Sequence, residues 1–169
     1  MTDSIAGTET SLTIKRTLDA PRDLVFRAWT EPDRLSQWWG AGPDFSTPIA
    51  EVDLRVGGKY RLGMKAPDQE EPYIVGGTYR EVRPPERLVY TWAWEQHAAG
   101  SAAGTAGEGA PDLGPGETLV TVEFHDVGGK TELVLTHEFF PDRNMRDEHN
   151  QGWEGVLTQL ARLVEESGQ

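Results

Sequence analysis

The sequence contains no cysteine in its 169 residues. This absence excludes a disulfide framework and any thiol chemistry. No apolar run comes close to the roughly 18 residues that a membrane-spanning helix needs, so none is predicted. Met1 to Thr10 also lacks the basic start and apolar core of a signal peptide, and we therefore expect a cytoplasmic protein.

Basic residues are few in this chain. It has 16 Lys and Arg against 28 Asp and Glu, which gives a formal net charge of −12. Because a surface of this charge repels phosphates and anionic lipids, we expect no nucleic-acid partner and no membrane insertion. A basic protein partner is compatible with the charge.

The sequence has no second hydrophobic block, which predicts a single domain. Its expected range is residues 11–166, after a flexible tail at residues 1–10. Inside this range, residues 97–116 contain six Gly, six Ala and two Pro. Such a composition buries too little apolar surface to order itself, so we predict a mobile Gly/Ala-rich insertion within a hairpin.

The last part of the chain carries a helical pattern. From about Asp142 to Glu166, apolar residues recur at the spacing of one helix face. Gly152 and Gly155 lie inside this helix, either because a backbone or ligand approaches closely or for no structural reason. The apolar face consists of Trp153, Val156, Leu157, Leu160, Leu163 and Val164.

Most of the chain before this helix alternates with the period of a strand. A first strand at residues 11–19 precedes two short helices, and about six further strands follow, joined by hairpins. Gly76-Gly77 predicts a bulge where the sheet curves. Because strands and helices are segregated, we expect an α+β fold, with a curved antiparallel sheet of about six or seven strands around the long C-terminal helix.

The inward-facing side chains of this arrangement are unusually aromatic. They either line a pocket or fill a core in which each polar tip is bonded internally. We predict an apolar cavity between the sheet and the long helix, with its mouth near Trp39, the insertion and the start of the helix. The candidate ligand-binding residues are Trp39, Tyr60, Leu62, Met64, Tyr79, Tyr90, Trp92, Trp94, His137, Phe139, Trp153 and Leu157.

Two histidine positions are candidates for chemistry. His137 lies on the inward face of the last strand and is either a general base, a polar anchor or a structural core residue. His125-Asp126 provides only half of a metal site, since no second His or carboxylate lies at ligand spacing. We therefore predict no catalytic residue, no metal site and no cofactor.

Several short motifs follow one another along the chain. They are Ala20-Pro21, Val25-Phe26, Trp29, Trp38-Trp39, Gly57-Gly58-Lys59-Tyr60-Arg61, Gly77-Thr78-Tyr79, Glu81-Val82, Pro84-Pro85-Glu86-Arg87-Leu88, Thr91-Trp92, Thr131-Glu132-Leu133, Thr136-His137 and Gly152-Trp153. With this combination, nearly the whole chain resembles the SRPBCC or START-like superfamily. Within it, the chain is similar to the group named for the C-terminal domain of the activator of the heat-shock-protein-90 ATPase.

The resemblance implies the helix-grip fold, in which the sheet wraps around the C-terminal helix. It leaves function open, because the superfamily includes lipid carriers, polyketide cyclases and aromatases, hormone receptors and chaperone activators. Three hypotheses follow: binding of a small hydrophobic or aromatic molecule, a polyketide cyclase/dehydratase-type enzyme, and a co-regulator that interacts with a chaperone. A deep pocket with convergent polar groups favours the enzyme, whereas a filled pocket with an exposed apolar patch favours the protein partner.

Overall fold

The computed structural model describes residues 10–39, 44–68, 70–94, 117–140 and 142–167. The insertion predicted at residues 97–116 lies outside these ranges, as does the predicted tail up to residue 9. The predicted mouth of the pocket, which included the insertion, therefore also lies partly outside them.

The described ranges contain strands and helices in the predicted order. The helices are α1 (Arg22–Thr30), α2 (Pro32–Leu35) and α3 (Arg143–Ser167). The strands are β1 (Ser11–Leu18), β2 (Ser46–Val52), β3 (Lys59–Lys65), β4 (Tyr73–Arg83), β5 (Arg87–Trp94), β6 (Thr118–Val127) and β7 (Lys130–Glu138). Two short helices follow the first strand and one long helix follows the last strand, which confirms the α+β class and the helix-grip arrangement.

The seven strands form one antiparallel sheet in the order β1-β7-β6-β5-β4-β3-β2. From β2 to β7, each strand pairs with its neighbour in sequence, as expected for strands joined by antiparallel connections. β1 is added at the end beside β7, where Leu12 pairs with His137 and Leu18 pairs with Thr131. The first and last strands therefore lie side by side.

α3 turns its predicted apolar face to the core. Gly152 on this helix is not a point of close approach, because a Cβ added there would meet no atom within 4 Å. Near the solvent side, Arg16 of β1 donates to Glu154 at 3.1 Å, but such a partly exposed pair contributes little stability. On the apolar face, Leu163 is half-buried, and the buried residues are Trp153, Val156, Leu157, Leu160 and Val164.

β4 runs without interruption through Gly76 and Gly77, so the bulge predicted there is wrong. The pairing register between β4 and β5 shifts at Tyr79 and Glu81 instead. Glycine is required at position 77 for another reason: an added Cβ would lie 2.0 Å from the carbonyl oxygen of Thr91 on β5. The two backbones approach too closely at this point for a side chain to fit between them.

Candidate functional site

Four tryptophans meet where the inner face of the sheet, the short helices and α3 come together. The ring centroids of Trp92 on β5 and Trp153 on α3 are 5.0 Å apart. Trp39, which follows α2, lies 5.8 Å from Trp92 and 5.7 Å from Trp153, while Trp29 of α1 stacks on Trp153 at 6.1 Å. Rings at these distances pack favourably in offset or edge-to-face arrangements. We call Trp29, Trp39, Trp92 and Trp153 the tryptophan cluster.

Three tyrosines from neighbouring strands form a second group. The ring centroids of Tyr60, Tyr79 and Tyr90 lie between 5.0 and 5.8 Å apart. The Tyr60 hydroxyl donates to the Thr91 carbonyl at 2.6 Å, and Trp29 Nε1 donates to the Tyr90 hydroxyl oxygen at 3.1 Å. Burial raises the pKa of all three hydroxyls. These tyrosines are therefore neutral and act as packing and hydrogen-bonding groups.

His137 is buried on β7 and has a partner at each ring nitrogen. Trp153 Nε1 donates to its Nδ1 at 3.0 Å, so the proton of the neutral ring lies on Nε2. Nε2 donates to Thr118 Oγ1 at 2.7 Å, and Thr118 in turn donates to the Trp92 carbonyl at 3.2 Å. Burial lowers the pKa of His137 well below its ordinary value, and nearby His149 lowers it further. A neutral imidazole bonded on both sides favours the structural interpretation of His137 over the general base.

The buried neutral state of His137 predicts that stability depends on pH. In the unfolded chain a histidine titrates at about 6.5, whereas in the folded chain the pKa of His137 is well below that value. Between the two values only the unfolded chain binds the proton, so the free energy of unfolding falls as the pH falls below about 6.5. We expect His137 to contribute a loss of about 1 kcal/mol between about pH 6.5 and pH 5.5.

Urea denaturation of the wild type and of His137→Gln over this pH range checks the expectation. The Gln side chain has an acceptor for Trp153 and a donor for Thr118, but it does not titrate. The advantage in unfolding free energy of the wild type over the variant should therefore shrink as the pH falls. Two parallel curves would show that His137 does not carry the effect.

Trp94 at the end of β5 and His149 on α3 border the tryptophan cluster, and both are half-buried. Trp94 Nε1 donates to His149 Nε2 at 2.9 Å, and His149 Nδ1 donates to the Met145 carbonyl at 2.9 Å. The Trp94 ring lies edge-on to Trp92 at 5.5 Å, and the exposed Tyr73 contacts it at 6.4 Å. We call Tyr73, Trp94 and His149 the rim, because through them the aromatic interior reaches solvent.

A cavity of about 10 Å³ lies among the tryptophan and tyrosine rings. It has room for about one water molecule, so it is not an open pocket for an aromatic ligand. Its walls come from α1, α2 and strands β2 to β5, whereas the sequence predicted a cavity between the sheet and the long helix. The lining residues are Trp29, Leu35, Val52, Tyr60, Leu62, Tyr79, Tyr90 and Trp92.

Two indole nitrogens of the tryptophan cluster have no hydrogen-bond acceptor within the described part of the chain. They are Nε1 of Trp39 and Nε1 of Trp92. The residues are only 2% and 4% exposed, so bulk water does not satisfy these donors. A buried donor without an acceptor costs about 1–3 kcal/mol. Such groups are uncommon in folded proteins and call for an explanation, for example a bound acceptor.

The structure brings most of the predicted ligand-binding residues together. Five of them line the cavity: Tyr60, Leu62, Tyr79, Tyr90 and Trp92. Four others have rings that contact the Trp92 ring: Trp39, Trp94, His137 and Trp153. Two belong to the same hydrophobic core without lining the cavity: Met64 and Leu157.

Phe139 does not occupy the predicted inward position. β7 ends at Glu138, and Phe139 has a left-handed backbone with a φ of 71°. The alternation of the strand stops there, so Phe140 is buried instead, with its ring centroid 4.3 Å from that of His137. The prediction failed because it extended the period-two pattern past the end of the strand.

Four residues of the site were not among the predicted ligand-binding residues: Trp29, Leu35, Val52 and Thr118. Trp29 and Leu35 lie on apolar helix faces in the sequence, but only the docking of α1 and α2 on the sheet brings them to the cavity. Thr118 shares the inward face of β6 by alternation, and this signal was present in the sequence. Val52 reaches the cavity from the edge strand β2, and no sequence signal distinguishes it from other strand valines.

The described residues contain no group of three or more side chains that could hold a metal ion. The exposed His125 lies 3.1 Å from Glu123, two residues earlier on the same strand. No helix in the described ranges is both long enough and apolar enough to cross a membrane.

Residues 19–165 match the model of a protein family described as Activator of Hsp90 ATPase homolog 1-like protein. A protein of known crystal structure from Chromobacterium violaceum is 28% identical, with a TM-score of 0.75 over 92% of this chain and 97% of that chain. An AHSA1-like protein from Aeromonas hydrophila, solved by NMR, is 25% identical, with a TM-score of 0.71 over 94% of each chain. The AHSA1 protein from Silicibacter pomeroyi, at 23% identity, shares the fold with a TM-score of 0.73 over 93% of this chain and 99% of that chain. No curated protein matches this chain.

Proposed function

The chain belongs to the Activator of Hsp90 ATPase homolog 1-like family, and we propose that its SRPBCC domain binds a small hydrophobic or aromatic molecule without transforming it. The observation that carries this proposal is the cavity among the tryptophan and tyrosine rings, where the sheet meets the helices. Its walls are mostly aromatic, with a few uncharged polar tips. Such a lining suits an apolar ligand that carries a small polar group.

Binding requires the interior to open, since the cavity holds about one water molecule. We assign this opening to the rim. Trp94 is half-buried and donates its indole proton to His149, while its neighbour Trp92 forms a wall of the cavity. An outward swing of Trp94 exposes one side of the Trp92 ring and leaves space for a flat ligand in its place. The ligand then selects the open conformation by binding to it alone.

The polyketide cyclase alternative finds less support at this site. His137, the candidate general base, has both ring nitrogens bonded within the protein. Burial raises the pKa values of the tyrosines, so they stay protonated at neutral pH and provide no phenolate to act as a base. These groups hold and orient a ligand better than they move protons.

A titration with the uncharged dye N-phenyl-1-naphthylamine tests ligand binding. We expect dye fluorescence to rise, tryptophan fluorescence to be quenched, and the fold to gain about 2.7 kcal/mol at a hundredfold excess over Kd. Trp92→Phe should weaken binding, because this ring is a wall of the cavity and the nearest partner of Trp94.

Val127→Ala provides the control for this titration, since Val127 is exposed at the end of β6. Thr91 is not a suitable control, although strand alternation predicts it to face outward. It is only 2% exposed and accepts a hydrogen bond from the Thr78 amide. If the dye leaves both the fluorescence and the melting temperature of the wild type unchanged, the ligand-binding proposal is wrong.

A chaperone co-regulator is the second candidate function. The small volume of the cavity favours it, together with the exposed side chains of Leu54 and Val56 in the connection between β2 and β3. The family description also names the activator of a chaperone ATPase. Addition of the protein to an Hsp90 ATPase assay tests this function, and stimulation that is lost in Val56→Ser would support it.

A further inference from the structure

The six tryptophans of the chain differ in how their indole protons are used. Four donate to an acceptor of the protein itself: Trp29 to Tyr90, Trp38 to the Ala28 carbonyl, Trp94 to His149, and Trp153 to His137. Within the described residues, Trp39 and Trp92 have no acceptor, although both are at least nine-tenths buried. Their rings are in contact, with centroids 5.8 Å apart. The two donors without an acceptor in the described residues therefore belong to neighbouring rings, and one of these rings, Trp92, lines the cavity.

The charge of the interior restricts what can pair with these donors. The buried polar residues of the described ranges are His137 and the threonines Thr30, Thr91, Thr118 and Thr131, so no Lys or Arg is buried there. His137 is neutral, because burial holds its pKa well below the ordinary value. An ionised carboxylate or phosphate placed among these groups would lose its hydration without gaining a counter-charge.

We infer that the ligand is an uncharged aromatic compound with a carbonyl-type oxygen, and that the indole N–H groups of Trp39 and Trp92 recognise this oxygen. The inference rests on the proposed ligand-binding function and adds the chemical class of the ligand. The inferred ligand class includes aromatic ketones and quinones. It excludes fatty acids and other carboxylates, which need a buried cation, and plain hydrocarbons, which leave both donors unpaired.

Three probes of similar ring shape test this inference: 9-fluorenone, fluorene and fluorene-9-carboxylate. Their affinities are compared by displacement of N-phenyl-1-naphthylamine and by the shift of the melting temperature. We expect fluorenone to bind about tenfold more tightly than fluorene, because only the ketone satisfies a buried donor. The carboxylate should bind more weakly than both.

Phe substitutions then identify the donors. Trp39→Phe and Trp92→Phe remove one indole N–H each and keep an aromatic ring, so each should reduce the preference for fluorenone over fluorene towards equal affinity. Trp38→Phe is the matched control, since the Trp38 proton already has the Ala28 carbonyl as its acceptor. It should keep the preference. Circular dichroism melting shows whether each variant folds. If one of the two donor variants does not fold, the other one decides the test.

The outcomes separate this inference from the function on which it rests. If none of the three probes binds, the proposed function itself fails. If fluorenone and fluorene bind equally well, ligand binding stands but the carbonyl class is wrong. Tightest binding of the carboxylate would overturn the requirement for an uncharged ligand. A preference for fluorenone that survives in both donor variants would show that other groups recognise the oxygen.

Discussion

Alanine at position 77 is expected to lower the free energy of unfolding by about 3 kcal/mol or more. The added Cβ would lie 2.0 Å from the carbonyl oxygen of Thr91 and 2.6 Å from its Oγ1. Both atoms are held in place, since the carbonyl accepts from Tyr60 and Oγ1 accepts from the Thr78 amide. Relief of the clash therefore moves β4 away from β5 and breaks these hydrogen bonds.

Gly152→Ala is the matched control for this substitution and should have the opposite sign. The Cβ at position 152 meets no atom within 4 Å, and the residue lies inside α3. Alanine is a better helix former than glycine, so a gain of up to about 1 kcal/mol is expected. Urea denaturation of both variants gives the two values. A loss below about 1 kcal/mol for Gly77→Ala would show that the two strands separate easily at this point.

Trp153→Ala should cost roughly 3–5 kcal/mol of unfolding free energy. The side chain is 3% exposed and contacts the rings of Trp29, Trp39 and Trp92. It also donates to Nδ1 of His137, so its removal leaves a cavity and an unpaired acceptor together. If the ring bordered a large open pocket, it would make fewer contacts, and its removal would lower the free energy of unfolding by less.

Two further variants of α3 divide this cost into its parts. Trp153→Phe keeps most of the ring contacts but removes the hydrogen bond to His137, so we expect a smaller loss than for alanine. Gln151→Ala changes an exposed residue of the same helix and should stay within about 0.5 kcal/mol of the wild type. Chemical denaturation at pH 7 gives all three values. A loss under about 1 kcal/mol for Trp153→Ala would contradict the packing described above.

The site combines a filled interior with two unused donors, and each feature favours a different function. A cavity for about one water favours a stable scaffold that meets a protein partner. The indoles of Trp39 and Trp92, which have no acceptor among the described residues, favour a ligand that brings its own acceptor. The dye titration decides between these two functions, because the dye binds only if the aromatic interior opens.

Much of the fold follows from local patterns in the sequence. The period of two along Leu88, Tyr90 and Trp92 predicts a strand with one inward face, and all three residues are buried on β5. Val89 and Thr91, which the same period places on the outer face, are buried as well. The spacing of Trp153, Leu157 and Leu160 likewise predicts the buried face of α3. These predictions succeed because side-chain direction in a regular element depends only on position along the chain.

Other features were decided by distances between segments that are far apart in sequence. Gly77 and Gly152 are both glycines inside a regular element, yet only Gly77 faces a backbone that excludes a side chain. Phe139 was expected to face inward, but Phe140 is buried instead, because β7 ends one residue earlier than its pattern suggests. Neither difference appears in the local pattern.

The sequence by itself determined the α+β class, the order of elements and the aromatic character of the interior, because each depends on composition and periodicity. The tertiary structure decided that these rings leave a cavity of about 10 Å³ against the short helices. It also decided that four indoles find acceptors in the protein while those of Trp39 and Trp92 find none in the described residues. The physical reason is that packing and hydrogen bonding depend on differences of less than an ångström between side chains from different elements, and no local pattern encodes them.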